Sequence, residues 1–167
     1  MLITEVTSMT RDRRGTRARV QLAAVAVAVL FLVIGVLGFV PGITTGYDDL
    51  TFAGHTSEAR LLGLFQISVL HNALHLLFGL AGLVLARRIA GARIFLAGGG
   101  ALYLGLCLYG LYVKFAGTEH GGANFIPLNG ADNLLHLLLG LGMLALGLLL
   151  SNRMGTGGRL DNPIDRP

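Results

Sequence analysis

The chain has 167 residues, of which 53% are hydrophobic and only 13% are charged. Its mean hydropathy of +0.69 is far above that of an average soluble domain. These values exclude a water-soluble globular protein and predict that lipid surrounds most of the chain. The net charge of +4 comes from basic residues that lie beside apolar segments rather than in one stripe. We therefore expect the lipid bilayer as a partner and no nucleic acid.

Four apolar segments follow one another, each near the roughly 20 residues that cross a hydrocarbon core of about 30 Å. The first is too long for a signal peptide and lacks a cleavage site, so it is expected to remain as a span. Asn129 is predicted to cap the fourth helix, and Thr56 or Ser57 the second. In chain order we predict a basic arm over 1–19, helices at about 20–40, 61–86, 94–113 and 131–150, and a disordered polar tail over 151–167.

The positive charges predict the orientation. Five Lys and Arg lie in the arm, three in the middle turn and three in the tail, whereas the two long loops contain only Arg60 and Lys114. The positive-inside rule then places both termini in the cytoplasm and both long loops outside. Frequent Arg with abundant Ala, Gly, Val and Leu is typical of a GC-rich bacterial genome. We expect a multi-pass protein of a bacterial inner membrane.

An internal repeat organises the chain. The sequence HNALHLLFGLAGL at 71–83 returns sixty-one residues later as DNLLHLLLGLGML at 132–144, which matches two Asn, two His and two Gly positions. The first and third helices share little beyond apolarity. With the predicted topology, the repeat gives two hairpins of the same orientation, related by an axis along the membrane normal. The predicted fold class is all-α, an integral membrane four-helix bundle built from two parallel-repeat helical hairpins.

Small and polar residues recur at helical spacing on one face of the second and fourth helices. In lipid, small residues let backbones approach and polar side chains form interhelical hydrogen bonds worth about 0.6 to 2 kcal/mol each. The pattern predicts a seam between these two helices, and with it a non-enzymatic structural or interaction module that packs with itself or with a membrane partner. The predicted seam residues are Ser68, Asn72, Gly79, Gly82, Asn133 and Gly140.

Ionisable residues at membrane depth favour other functions. His71 and His75 are one helical turn apart, and with Asp132 and His136 they could bind Zn, Fe or Cu. His75 and His136, each followed one turn later by Gly, could ligate haem, although no Arg lies at that depth for the propionates. The same groups could relay protons in a small transporter. Asp132 also fits a capping box with Asn129, and none of these patterns favours a cofactor over simple packing.

Three stretches resemble a known family. They are FQISVLHNALHLLFGLAGL, GANFIPLNGADNLLH and the end of the first helix, GVLGFVPGIT. Together they are similar to an uncharacterised bacterial family of four-helix membrane proteins, the domain-of-unknown-function 4383 family. The resemblance covers about Val29 to Leu149. It implies that NFIPLN and the two Asn/His pairs are shared features of that family, and it implies no catalytic residue.

Overall fold

The computed structural model describes residues 19–118 and 124–152, so nearly all of the predicted arm and tail lies outside the described residues. Four helices form the bundle in this part of the chain. The third contains a π-helical turn at Ile94–Gly98 between two α-helical parts. The helices are α1 (Arg19–Leu37), α2 (Val69–Leu85), α3 (Ile89–Phe115) and α4 (Gly130–Asn152).

Three of the four helices, α1, α3 and α4, are long and apolar enough to cross a membrane. The fourth, α2, is equally apolar but has 17 residues, which span about 25 Å at 1.5 Å per residue. Large aliphatic side chains on all four helices point outward, among them Leu77 and Leu138 with exposed fractions of 62% and 60%. Such a surface suits lipid rather than water, so the helices fit a membrane protein.

The α1–α2 connection is more structured than the sequence predicts. It forms a small antiparallel sheet of β1 (Thr44–Thr45), β2 (Arg60–Leu61) and β3 (Phe65–Gln66). A tight turn joins β2 to β3, with Leu62 and Gly63 at φ values of 54° and 73°. Because this turn interrupts the apolar run, α2 begins at Val69 and not near Leu61.

The predicted cap of α2 is wrong. Ser68 caps the helix, with its hydroxyl accepting a hydrogen bond from the backbone N–H of His71 at 3.1 Å. Ser57 is fully buried in the loop, where its hydroxyl donates to the carbonyl of Ile67 at 2.6 Å and accepts from the backbone N–H of Thr51 at 3.3 Å. These hydrogen bonds stabilise the loop around the sheet and hold Ser57 away from the start of α2.

The predicted cap of α4 is confirmed. The side-chain oxygen of Asn129 accepts from the backbone N–H of Asp132 at 3.0 Å, and the Asp132 carboxyl accepts from the backbone N–H of Asn129 at 2.9 Å. This is the reciprocal pair of a capping box. The same carboxyl oxygen also accepts from the backbone N–H of Gln66 at 3.1 Å. Asp132 therefore joins β3 to the first turn of α4.

Glycines allow the closest contacts between helices, and these contacts join helices that are consecutive in the chain. A Cβ on Gly79 of α2 would lie 2.8 Å from the carbonyl oxygen of Ala28 on α1. A Cβ on Gly140 of α4 would lie 3.0 Å from the backbone nitrogen of Leu104 on α3. The structure therefore differs from the predicted seam between α2 and α4, because these small residues pack α1 on α2 and α3 on α4.

The two predicted seam asparagines occupy similar places. The Asn72 side chain fills the space beside Gly38, which directly follows α1, and the Asn133 side chain fills the space beside Gly110 of α3. Gly82 lies against Ala28, 2.8 Å from a Cβ built on the glycine. Side chains at Gly38 and Gly110 would displace the amides, so these glycines admit a polar group into each helix pair.

The bundle has two ends of different character, which we call the loop end, where the two long connections lie, and the turn end, where residues 86–88 join α2 to α3. At the turn end, the Gln21 side chain donates to the carbonyls of Ala86 and Arg87 at 3.0 and 3.1 Å. Above it the buried core is apolar and includes Ala24, Leu96 and Met143. In the described part of the chain, every buried polar side chain lies in the connections or in the loop half of the helices.

Candidate functional site

Three imidazoles meet in the loop half of the bundle: His71 and His75 from α2 and His136 from α4. We call them the histidine cluster. The ring centroids of His71 and His75 are 4.7 Å apart and stacked, and those of His71 and His136 are 6.2 Å apart. The exposed fractions of the three residues are 6%, 7% and 3%. The i, i+4 spacing on α2 stacks the first two rings, and the position of α4 adds the third.

The fourth predicted residue, Asp132, is buried close by but is already engaged. Its carboxyl holds the backbone N–H groups of Gln66 and Asn129, as described above. Among the described residues, no group of three or more His, Cys, Asp or Glu converges in a way that could hold a metal ion. The structure thus places Asp132 beside the histidine cluster in a capping and bracing position.

The protonation pattern of His75 follows from its backbone partner. Its Nδ1 lies 2.9 Å from the carbonyl oxygen of His71. A carbonyl oxygen only accepts hydrogen bonds, so Nδ1 carries the proton in the neutral ring. The other ring nitrogen, Nε2, then has a lone pair. His75 therefore presents a fixed hydrogen-bond acceptor.

Several buried polar atoms around the cluster have no hydrogen-bond partner in the structure. They are Nδ1 of His71, Nδ1 of His136, both amide atoms of Asn72 and the amide oxygen of Asn133. Leaving such an atom unpaired costs about 1 to 3 kcal/mol. The sequence predicted that Asn and His would form interhelical hydrogen bonds, and these atoms form none. Hydrogen-bonding capacity is therefore left over at the centre of the bundle.

Two cavities flank the histidine cluster, and all three histidines line both. The α1/α4 cavity is about 200 Å³ and includes Ile34, Phe65, Leu135 and Asp132 in its wall. The α2/α3 cavity is about 230 Å³ and includes Leu74, Phe78, Leu102, Tyr103, Leu106 and Ile126. Apart from the histidines and Asp132, the walls are almost entirely apolar. Pockets for drug-sized ligands begin near 300 Å³, so neither cavity has room for a porphyrin.

The walls of the two cavities use matching positions of the chain. Leu135 follows Leu74 by sixty-one residues, the offset of the repeat, and Leu106 follows Ile34 by seventy-two. The seventy-two offset also relates Gly110 to Gly38. A single shared Gly does not reveal this correspondence in the sequence, because the remaining positions share a place in the packing and not a residue type.

Aromatic side chains close the turn side of the cluster. Phe31 lies 5.7 Å from His75 and Tyr103 lies 5.1 Å from His136, measured between ring centroids. Phe78 packs on both aromatic rings, 4.9 Å from Phe31 and 5.7 Å from Tyr103. None of the three was predicted as a site residue. An aromatic residue in an apolar helix has no signal in the sequence that separates a binding wall from ordinary core.

A third, polar cavity of about 280 Å³ lies above the cluster between the two connections. Charged and amide side chains line it, including Glu58, Arg60, Gln66 and Asn129. Gln66 and Asn129 donate their backbone N–H groups to Asp132. Asp132 therefore stands between this polar cavity and the histidine cluster.

Comparison with known proteins places the chain in a family. No curated protein and no solved structure matches the chain. One family model does match, over residues 21–149, and it is described as a domain of unknown function, DUF4383. The matched region contains the histidine cluster, both apolar cavities and nearly the whole bundle. The chain therefore belongs to the DUF4383 family.

Proposed function

We propose that this protein is a membrane-embedded binding module, rather than an enzyme, whose histidine cluster takes up a small ligand. The observation that carries the proposal is the pair of buried, unpaired Nδ1 atoms of His71 and His136, beside two apolar cavities. If these histidines only held helices together, a hydrogen-bond partner within the protein for each Nδ1 would stabilise the fold by about 1 to 3 kcal/mol per atom. A bound molecule can supply the partners that the protein leaves out.

We further propose that all four helices cross the membrane as two parallel-repeat hairpins, with both termini in the cytoplasm. The matched contacts support the repeat, because Gly79 packs on α1 as Gly140 packs on α3, and Phe31 meets His75 as Tyr103 meets His136. The close packing of the 17-residue α2 along α1 supports its placement as a fourth span. Arg87, Arg88 and Arg93 near the turn end support the cytoplasmic side.

The distribution of polar groups favours binding over transport across the membrane. A relay needs hydrogen-bonding side chains along the whole path. Between the histidine cluster and Gln21 at the turn end, Tyr103 carries a hydroxyl beside the cluster, and the core beyond it is apolar in the described residues, as in Ala24, Leu96 and Met143. The polar region is therefore closed at one end. A second copy or a membrane partner, expected from the sequence, is not needed to complete the site, since one chain supplies all three histidines.

A stability comparison tests the proposed function. In detergent, His136→Leu should unfold at the same temperature as the ligand-free parent or at a higher one, because it removes a buried unpaired nitrogen. The parent should carry a small molecule through purification, detected by mass spectrometry of its extract and by elemental analysis, and His136→Leu should not. Met143→Leu, a change of similar volume in the apolar core, serves as the control that keeps the ligand. If His136→Leu were destabilised by about 1 kcal/mol or more and the parent carried nothing, the histidine would be structural.

A reporter fusion tests the proposed topology. An enzyme that is active only outside the cytoplasm, fused after Arg153, should be inactive, whereas the same enzyme inserted after Asp48 in the α1–α2 connection should be active. Asp48 is a suitable insertion point because it lies in the exposed run of residues 45–49, and exposed loop positions tolerate insertions best. Activity of the fusion after Arg153 would show that the orientation is reversed.

A further inference from the structure

The α2/α3 cavity has a wall whose chemistry selects one kind of ligand. We infer that it binds a neutral, lipid-soluble aromatic alcohol of the phenol or quinol class, with the ligand hydroxyl donating to Nε2 of His75 and the ring packing on Phe78 and Tyr103. This inference rests on the proposed function and specifies the ligand of the same site. Three properties of the cavity support it.

The first property is the direction of the hydrogen bond. His75 donates through Nδ1 to the carbonyl of His71, so its Nε2 can only accept. A ligand that satisfies this nitrogen has to donate, as a hydroxyl does. A ketone, an ether or an ester has no proton to offer.

The second property is the aromatic wall. Phe78 and Tyr103 line the cavity with ring centroids 5.7 Å apart, and Tyr103 meets His136 edge to face at 5.1 Å and 86°. Aromatic rings pack favourably on such a surface in offset or edge-to-face arrangements. An engineered apolar cavity of about 150 Å³ is enough for benzene. The α2/α3 cavity, at about 230 Å³, has room for a substituted or two-ring molecule.

The third property is the lack of charge together with the route of entry. Among the described residues, no carboxylate, Lys or Arg lines this cavity, so a phosphate, carboxylate or ammonium group would lose its hydration without gaining a partner there. Leu74 and Leu102, which also line it, have exposed fractions of 42% and 53% on the outside of the bundle. The cavity therefore adjoins the lipid-facing surface between α2 and α3, and a neutral molecule dissolved in the bilayer can reach it.

The other cavity is a built-in comparison. The α1/α4 cavity has a similar size and the same three histidines, but its wall contains Asp132 and a single aromatic ring besides the histidines, that of Phe65, whereas the α2/α3 cavity has no carboxylate among its described lining residues and is walled by Phe78 and Tyr103. Ile34 in one wall corresponds to Leu106 in the other. A change from either residue to Phe fills one cavity and leaves its counterpart open, which separates the two sites experimentally.

The test is a fluorescence titration of the full chain in lipid nanodiscs with 2-naphthol, using empty nanodiscs as the blank. The protein contains no Trp, so naphthol emission can be read directly. We expect saturable binding of 2-naphthol and about tenfold weaker binding of its methyl ether, which cannot donate, as expected for one lost hydrogen bond. His75→Leu and Leu106→Phe should each weaken 2-naphthol binding by about tenfold or more, whereas Ile34→Phe should not.

Several outcomes would overturn the inference. They are equal binding of 2-naphthol and its ether, loss of binding in Ile34→Phe instead of Leu106→Phe, or a stoichiometric metal on the cluster, because a metal on Nε2 would remove the acceptor. The ether comparison uses the unaltered protein, so it decides the matter even if Leu106→Phe does not fold. If these results failed while His136→Leu still lost a co-purifying molecule, the ligand class would be wrong and the proposed binding function would stand. If His136→Leu changed nothing either, both would fall.

Discussion

Replacing Gly140 by Leu should lower the free energy of unfolding by about 1 to 3 kcal/mol, the usual cost of overpacking a filled interior. A Cβ at this position would lie 3.0 Å from the backbone nitrogen of Leu104 and 2.8 Å from its Cγ. The backbone of α3 cannot move aside as the end of a flexible side chain can, so α3 and α4 must separate. Reversible unfolding in detergent, followed by circular dichroism, measures the change.

The matched control lies two residues further along the same helix. A Cβ on Gly142 would meet no atom within 4 Å, because this glycine lies on the exposed face of α4. Gly142→Leu should therefore leave stability unchanged or raise it slightly, since Leu favours the helix more than Gly does. Equal destabilisation by the two variants would mean that helix propensity or detergent contacts, and not the α3–α4 contact, determine the effect.

Replacing Asp132 by Ala should lower the free energy of unfolding by about 2 to 4 kcal/mol, because it removes two hydrogen bonds from partly buried backbone N–H groups at about 1 to 2 kcal/mol each. The same carboxyl oxygen accepts from Asn129 at 2.9 Å and from Gln66 at 3.1 Å. Losing it would uncap α4 and release β3 from the bundle. Hydrogen exchange of the Gln66 and Asn129 amides should accelerate together with the loss of global stability.

Asp132→Asn tests whether this residue acts only by accepting the two backbone hydrogen bonds. The amide has the same shape and keeps one oxygen that can accept both backbone hydrogen bonds, so most of the stability should return. The free energy of unfolding of this variant should lie within about 1 kcal/mol of that of the parent. A loss as large as that of Asp132→Ala would show that the carboxyl group itself is required.

The sequence predicted the start of a helix correctly where a short local pattern of residues defines it. Asn129 and Asp132 form the expected capping box because both partners lie within one turn of the chain. The predicted start of α2 is too early, because the stretch LLGLF at 61–65 is as apolar as a membrane-spanning helix. The structure uses it as a hairpin with Leu62 and Leu64 exposed by 62% and 59%. Composition does not distinguish a Leu in a helix from a Leu in a hairpin, whereas the positive φ of Gly63 in the structure marks the turn.

The candidate site was predictable in part for similar reasons. Helical spacing and the repeat brought His71, His75 and His136 to one level of the bundle, and the structure places them together. The cavities and their aromatic walls were not predictable, because they depend on the separation of helices that are not adjacent in the chain. The partner of each glycine was also missed. A small residue shows that a neighbour approaches closely, but it does not show which neighbour.

The glycine contacts have a consequence for biosynthesis. Gly79 packs on α1 and Gly140 packs on α3, so each tight contact joins a helix to the one that precedes it. During translation, when N-terminal parts of a chain fold first, α1 and α2 can pair before α3 is made. His136, in α4, is made after the other two histidines. The histidine cluster is therefore completed only once α4 has been made, so a chain truncated before α4 can hold a well-packed first hairpin and still lack the site.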